Sequence, residues 1–348
     1  MRADWDAVDC DVLVIGAGAA GLRAAIEASA AGARTAIACK SLLGKAGTAM
    51  EREGIDCASQ EAAERVAELE SWGALFERTR DGFRDAHVAR RDDRTGLEVL
   101  RALQHETVRR GIDIHMECSI QRLLVEEGRI AGAFGLRRAS GGFVHFRCGA
   151  AILATGGGER AWRDDASADA TGDGHLLALE ASGAAGVYAA GDAAGEIGLS
   201  AALVLGRRAG LDAARFSRGA HGRVIVGGRR LEEIARELLA PLERKSGENP
   251  YAILAALRSC LQREAPGELA RLKQRAANAS APGPRAWNPA WHLALELRSM
   301  IAVAEAAMPG ATAERKPLID WSKPWRPRKP RSASGAATPA AARSKNIG

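Results

Sequence analysis

Apolar and polar positions change rhythm several times along the chain. Asp11 to Ile15 reads DVLVI, a β-branched run ending in glycine that predicts a buried strand. Ala19 to Ala30 is alanine-rich with Leu22 and Ile26 four apart, which predicts a helix. Thr35 to Cys39 predicts a second strand, and helical patterns follow at Glu61 to Trp72 and Thr95 to Arg110. From Ile112 to Leu153 short β-rich pieces (IDIHME, IQRLLVE, IAGAFGL, FVHFR, AAILA) alternate with turns at Gly128 and Gly141-Gly142. They predict a strand, a three-strand meander and a return to a buried strand. Gly174 to Ser182 predicts a short helix, Gly186 to Ala190 a strand, and Ala202 to Phe216 a helix.

Beyond His221 the pattern is helical. Leu231, Ile234, Leu238, Leu239 and Leu242 mark one helix face. Asn249-Pro250 and Asn288-Pro289 each place an N-cap before a first-turn proline. The second opens a stripe from Leu293 through Leu297, Met300, Ile301 and Ala304 to Met308, which Pro309-Gly310 stops. The rhythm divides the chain into residues 1–220, a helical unit at 221–316 and a Pro/Ala-rich basic tail at 317–348, expected to be disordered.

Composition adds exclusions. The 348 residues are 47% apolar and 26% charged, the balance of a globular protein. No run approaches the roughly 18 apolar residues of a membrane span, and the N-terminus lacks the apolar core of a signal peptide. The six cysteines form no C-x-x-C pair, which argues for reduced thiols and a cytoplasmic setting, without a zinc ribbon or iron–sulfur cluster. Lys plus Arg outnumber Asp plus Glu by 49 to 43. Ser322 to Gly348 holds seven of those basic residues and no acid, leaving 42 against 43 in the body. The excess is a solvated tail rather than a basic face, so nucleic acid is not an expected partner.

Gly16-Ala17-Gly18-Ala19-Ala20-Gly21 follows a strand and opens a helix, the context that gives G-x-G-x-x-G its meaning. The glycines permit the turn, the approach of a pyrophosphate and close helix–strand packing, and the helix N-terminus favours an anion. Where an acidic residue would hold a nicotinamide cofactor's ribose, the chain has Cys39-Lys40-Ser41, against a standard NAD site. Leu43-Gly44-Lys45 fails as a phosphate loop, because Cys39 takes the first glycine's place and Ala46 follows the lysine. Two further strands run into small residues, at Ala154-Thr155-Gly156 and at Ala190-Gly191-Asp192. A carboxylate at such an edge accepts a hydrogen bond from a sugar-alcohol hydroxyl, although either motif also suits an ordinary strand-to-helix turn.

This ordered trio, with a meander between the first and second, resembles the two-dinucleotide-binding-domain flavoproteins. More narrowly, the chain resembles the flavoprotein subunit of succinate dehydrogenase and fumarate reductase. Matching stretches include Lys40 to Met50, Trp72 to Gly82, Asp93 to Gly96, Gly111 to Cys118, Thr171 to His175, Gly206 to Gly210, Glu248 to Tyr251 and Asn288 to Arg298. The resemblance implies an α/β fold, a Rossmann-like parallel sheet plus meander, followed by a helical domain. It implies FAD, with Gly16, Ala17, Gly18, Ala20 and Gly21 at the pyrophosphate and Lys40 and Ser41 near the adenosine side. Thr48 would lie along the isoalloxazine, Ala154, Thr155 and Gly156 would border the cofactor, and Asp192 would bond the ribityl chain. Asp173 would face the flavin end, or cap the helix that it precedes. The implied partner is an iron–sulfur subunit, with peripheral membrane association through it.

The departures from that family shape the expected activity. Its long capping domain should lie between the helix holding Glu180 and the strand near Val187, where this chain has only Ser182 to Gly186. The cap carries the family's carboxylate-gripping histidines and arginines and its proton-donating arginine. Hydride transfer between a dicarboxylate and FAD is therefore the implied reaction, with little or no turnover expected. His175, Arg207 and Arg208 are the nearest substitutes, and a first helical turn and a solvated helix face describe them better. Gly47 occupies the family's attachment-histidine position, so FAD is expected to be non-covalent. A non-catalytic, internally deleted remnant or structural flavin-binding subunit is the alternative.

Overall fold

The computed structural model describes residues 4–81, 84–90, 94–195, 198–219 and 224–308. The expected Pro309-Gly310 stop, the 220/221 boundary and the disordered tail lie outside the described residues. Strand β1 (Trp5–Asp9) leads directly into β2 (Val12–Ile15), whose four side chains are at most 5% exposed. Helix α1 (Ala19–Ala30) returns the chain to β3 (Thr35–Ala38). After β4 (Ile55–Asp56) and α2 (Gln60–Ser71), strands β5 (Phe76–Asp81) and β6 (Arg84–Ala89) form a hairpin. Helix α3 (Thr95–Arg109) then precedes β7 (Asp113–His115).

Strands β8 (Cys118–Glu126), β9 (Arg129–Arg137) and β10 (Phe143–Arg147) are the expected meander, and β11 (Ala150–Leu153) re-enters the first sheet. Helix α4 (Asp173–Glu180), β12 (Val187–Ala189) and α5 (Leu199–Gly219) complete this part. The main sheet has the order β12-β11-β2-β3-β7 and is parallel throughout. Such a sheet is covered on both faces, which is why β2 and β11 are continuous apolar runs.

Four helices follow: α6 (Gly228–Glu243), α7 (Pro250–Gln262), α8 (Leu269–Ala277) and α9 (Pro289–Ala307). Both expected caps form, Asn249 accepting from the Tyr251 N–H at 2.8 Å and Asn288 from the Trp291 N–H at 3.0 Å. These helices share one apolar cluster with Leu124, Ala131, Phe134, Leu136 and Phe143 of the meander sheet. The helical part is thus packed onto the meander by a common core.

Two pieces of sheet carry no clear apolar period. β1 pairs parallel to β10 and makes the meander sheet four-stranded, its Trp5 ring meeting Phe134 edge-on at 6.1 Å. β4, β6 and β5 form a third, antiparallel sheet whose strands are rich in charge. The Gly206-Arg-Arg-Ala-Gly210 stretch proves to be a helix contact. A Cβ at Gly206 would stand 2.5 Å from the Ala20 carbonyl oxygen, and one at Gly210 2.3 Å from that of Ala24, so α5 lies close against α1.

Candidate functional site

The carboxyl ends of β2, β11 and β12 lie side by side, the place where open parallel sheets take ligands. Gly16 has a φ of +117°, and a Cβ there would stand 2.0 Å from the Ala154 carbonyl oxygen. A Cβ on Gly21 would stand 2.1 Å from the Gly16 carbonyl oxygen. The backbone is folded so tightly that both positions require glycine. Gly18 precedes α1, whose first turn has no side-chain cap on its own element. Instead Thr48, in a 3-10 turn at Gly47–Met50, accepts from the Ala19 N–H at 3.1 Å. The turn at Gly191–Ala194 closes the other side, a Cβ on Gly191 falling 3.0 Å from the Ala20 Cβ. Gly16, Ala17, Gly18, Ala20, Gly21, Thr48, Ala154 and Asp192 are therefore brought together around the start of α1.

Lys40 and Asp173 belong to a different group. Lys40 Nζ is 2.8 Å from Asp173 Oδ2 and 3.4 Å from Glu296 Oε1 on α9. Thr171 Oγ1 accepts from Lys40 and donates to Asp173 Oδ1 at 2.8 Å. Glu296 is 4% exposed and also meets Arg160 at 2.9 Å and Arg138 at 3.8 Å. Burial favours the neutral acid, yet the Lys40 charge and hydrogen bonds from Lys40, Thr171 and Ser299 hold the Asp173 carboxyl below its ordinary range. Burial works against the Lys40 charge too, and Asp173 and Glu296 keep its pKa raised. Lys40 and Asp173, expected at the adenosine side and at the flavin end, are thus brought together in one ion pair. The N-cap of α4 is Gly172, so Asp173 is not the cap.

Thr155 links the two groups, its Oγ1 accepting from the Gly174 N–H at 3.0 Å, with Gly156 following in a turn at φ +75°. The backbone carbonyl of Ser41 accepts from the Glu117 N–H at 3.2 Å. Sequence reasoning missed Glu296, which meets Lys40 from far along the chain, and Arg160 and Arg138, which meet Glu296 in turn. The buried Glu inside the Leu293–Leu297 stripe was the available signal.

The rim beside Asp192 is acidic. Burial raises the Asp192 carboxyl, with Glu159 adding to it, and burial raises Glu51, with Asp192 and Glu53 adding. The three candidate cationic substitutes sit elsewhere or are poorly suited. Arg208 pairs with Glu61 at 2.6 Å on α5, and Arg207 approaches Glu27 at 3.8 Å. His175 is on the first turn of α4, where burial lowers its pKa against the opposing pull of Glu159. Among the described residues no group of His, Cys, Asp or Glu is arranged to hold a metal ion.

A glycine cradle at the carboxyl ends of a parallel sheet, beside a β-meander, defines a dinucleotide-binding flavoprotein fold. Residues 11–50 and 38–197 match the family model of the FAD binding domain, more than half of the chain. The chain belongs to that family, and it is similar to flavoprotein subunits of succinate dehydrogenases and fumarate reductases. It is 35% identical over 192 residues to one subunit of the fumarate reductase (CoM/CoB) of Methanothermobacter marburgensis, covering 43% of this chain and 35% of that one. It is 28% identical to the succinate dehydrogenase flavoprotein subunit of Rickettsia bellii, over 49% of this chain and 37% of that one. Matches to these curated relatives thus span little more than a third of their length. Mycobacterium smegmatis Sdh1, solved in complex with UQ1, aligns with a TM-score of 0.79 at 28% identity, over 87% of each chain. The cradle's geometry fits the FAD pyrophosphate, since its tight glycine turn leads straight into the N-terminus of α1, whose N-cap Gly18 carries no side chain.

Proposed function

We propose that the protein holds FAD non-covalently as an oxidoreductase of the succinate dehydrogenase and fumarate reductase type, with little or no dicarboxylate turnover. The observation that carries this reading is the cradle in which Gly16 and Gly21 leave no room for a Cβ. Gly16, Ala17, Gly18, Ala20 and Gly21 would face the pyrophosphate, with the field of α1 favouring its charge. Thr48 would lie beside the cofactor while fixing the first turn of α1, and Asp192 would accept from a sugar-alcohol hydroxyl. FAD itself supplies the hydride-accepting centre. Gly47 has no nucleophile and stands exposed, which supports a dissociable cofactor.

The acidic rim supports the second half of the reading. A dicarboxylate held for hydride transfer needs fixed cations at its carboxylates, whereas the groups that act on Asp192 and Glu51 are carboxyls. An iron–sulfur subunit would be the electron partner, with any membrane association peripheral. No helix among the described residues is long and apolar enough to cross a membrane. The purified protein should be yellow and release free FAD on acid precipitation. A colourless protein that fails to take up added FAD overturns cofactor binding, and robust succinate–dye turnover overturns the inactivity.

A second reading, a structural flavin-binding subunit or internally deleted remnant, is favoured by the connection from α4 to β12. The two are joined through Ala181 to Gly186, with the Ala184 N–H bonded to the Ala181 carbonyl at 3.0 Å. A turn this short leaves no place for a substrate-gripping cap. A colourless protein that takes up no FAD would select the remnant, and a yellow protein that accepts no electrons from reduced dyes would select the structural subunit.

A further inference from the structure

Cys57 and His87 form a thiol–imidazole pair in the small antiparallel sheet. His87 on β6 stands opposite Ile55 of β4, and Cys57 follows two residues after Ile55. Cys57 Sγ lies 3.2 Å from His87 Nδ1 and 3.5 Å from the Ile55 carbonyl oxygen. Both residues are half-buried. The other five cysteines are buried. Burial pushes the Cys39 thiol up to about 11, that of Cys118 up to about 12, and that of Cys260 upward as well. The thiolate is the nucleophile, so such thiols are inert near neutrality. Cys57 combines solvent access with a proton acceptor at hydrogen-bond distance, the arrangement that activates a nucleophilic thiol.

We propose that Cys57, with His87 as its proton acceptor, is a thiol–disulfide exchange site that takes a low-molecular-weight disulfide. His87 Nδ1 receives the thiol proton, and the Cys57 thiolate attacks one sulfur of the disulfide. One sulfur–sulfur bond forms as the other breaks, and the departing thiolate takes the proton back from the imidazolium. The incoming disulfide is the oxidant, leaving Cys57 in a mixed disulfide and one equivalent of free thiol. Half-burial of both side chains selects a small disulfide over a protein one.

The site does not depend on cofactor binding, so the test uses the full chain as purified. A chromogenic aromatic disulfide, 5,5′-dithiobis(2-nitrobenzoate), should release one equivalent of thiol in a fast phase, with the others following only on unfolding. Peptide mapping after treatment with oxidised glutathione should place the adduct on Cys57. Cys57→Ser should abolish the fast phase. His87→Gln should slow it at least about tenfold, the change in thiolate fraction that one pKa unit produces well below the pKa. A fast label mapping to another cysteine, or no fast phase in the wild-type protein, overturns the proposal without any variant having to fold. An unchanged rate in folded His87→Gln, judged by circular dichroism, overturns the role of the imidazole.

Discussion

At the same end of the main sheet, two neighbouring regions are built from opposite materials. The cradle at β2, β11 and β12 consists of backbone and small residues, and its shape comes from what is missing. The group around Lys40 consists of the charged side chains of Lys40, Arg138, Arg160, Asp173 and Glu296, and its shape comes from what fills it. The cradle sets the N-terminus of α1 behind Gly18, a cap residue with no side chain, while Thr48 takes the Ala19 N–H. The charged group is satisfied internally, Lys40 being 10% and Glu296 4% exposed, and it ties the turn after β3 to α9. Lys40 lies within a matching stretch, and its ammonium joins the turn after β3 to α4 and α9.

The sharpest way to break the cradle is Gly16→Val. The new Cβ would stand 2.0 Å from the Ala154 carbonyl oxygen, and a β-branched residue would be held at a φ of +117°. The variant should lose FAD altogether and unfold or precipitate, an effect above about 4 kcal/mol. Absorbance of the flavin per protein and recovery of soluble protein measure it. A stable, yellow Gly16→Val protein would show that β2 and β11 are farther apart than described.

Glu296→Ala tests the other region. It removes the carboxylate shared by Lys40, Arg160 and Arg138 and leaves buried cations short of a partner, at a cost of about 3–5 kcal/mol. Thermal or denaturant melts should show the loss, while any bound FAD should still be released free by acid, since Glu296 is outside the cradle. Acid should weaken the wild-type protein in the same direction. Asp173, held below its ordinary range, contributes stability above that range, and the contribution is lost as pH falls through the lowered value. A Glu296→Ala melt equal to wild type would reduce the group to a set of incidental contacts.

The same contrast explains what was legible in the sequence. Gly16, Gly18 and Gly21 were readable because a tight turn leaves a local mark: strand, glycines, helix, in that order. β2, β3 and β11 were readable because a doubly covered parallel strand is a continuous buried run. β1 and the β5–β6 hairpin were not, because an edge strand such as Trp5–Asp9 gains its place from pairing with β10, 138 residues away at Asp9 and Arg147, rather than from its own pattern. The Lys40–Asp173–Glu296 group was hidden for a related reason. Its members are 133 and 256 residues from Lys40 along the chain, and a single buried Glu inside an apolar helix stripe names no partner. Local backbone demands are written locally, whereas ion pairs across the fold are written in two places with no sign joining them.

The smallest expected effect lies where side-chain chemistry enters the cradle. Thr48 Oγ1 accepts from the Ala19 N–H and so performs at long range what an N-cap residue does within its own helix. Thr48→Ala should lower stability by about 1 kcal/mol, the usual cost of losing a helix N-terminal acceptor. Thr48→Ser keeps the oxygen and should restore most of that loss. If Thr48 also touches the cofactor, the alanine variant will weaken FAD retention more than stability, and titration of the apoprotein with FAD separates the two. Equal melts for the alanine and serine variants would mean that the Ala19 donor is satisfied without Thr48. The cradle would then be built from backbone alone, and its contrast with the charged group would be complete.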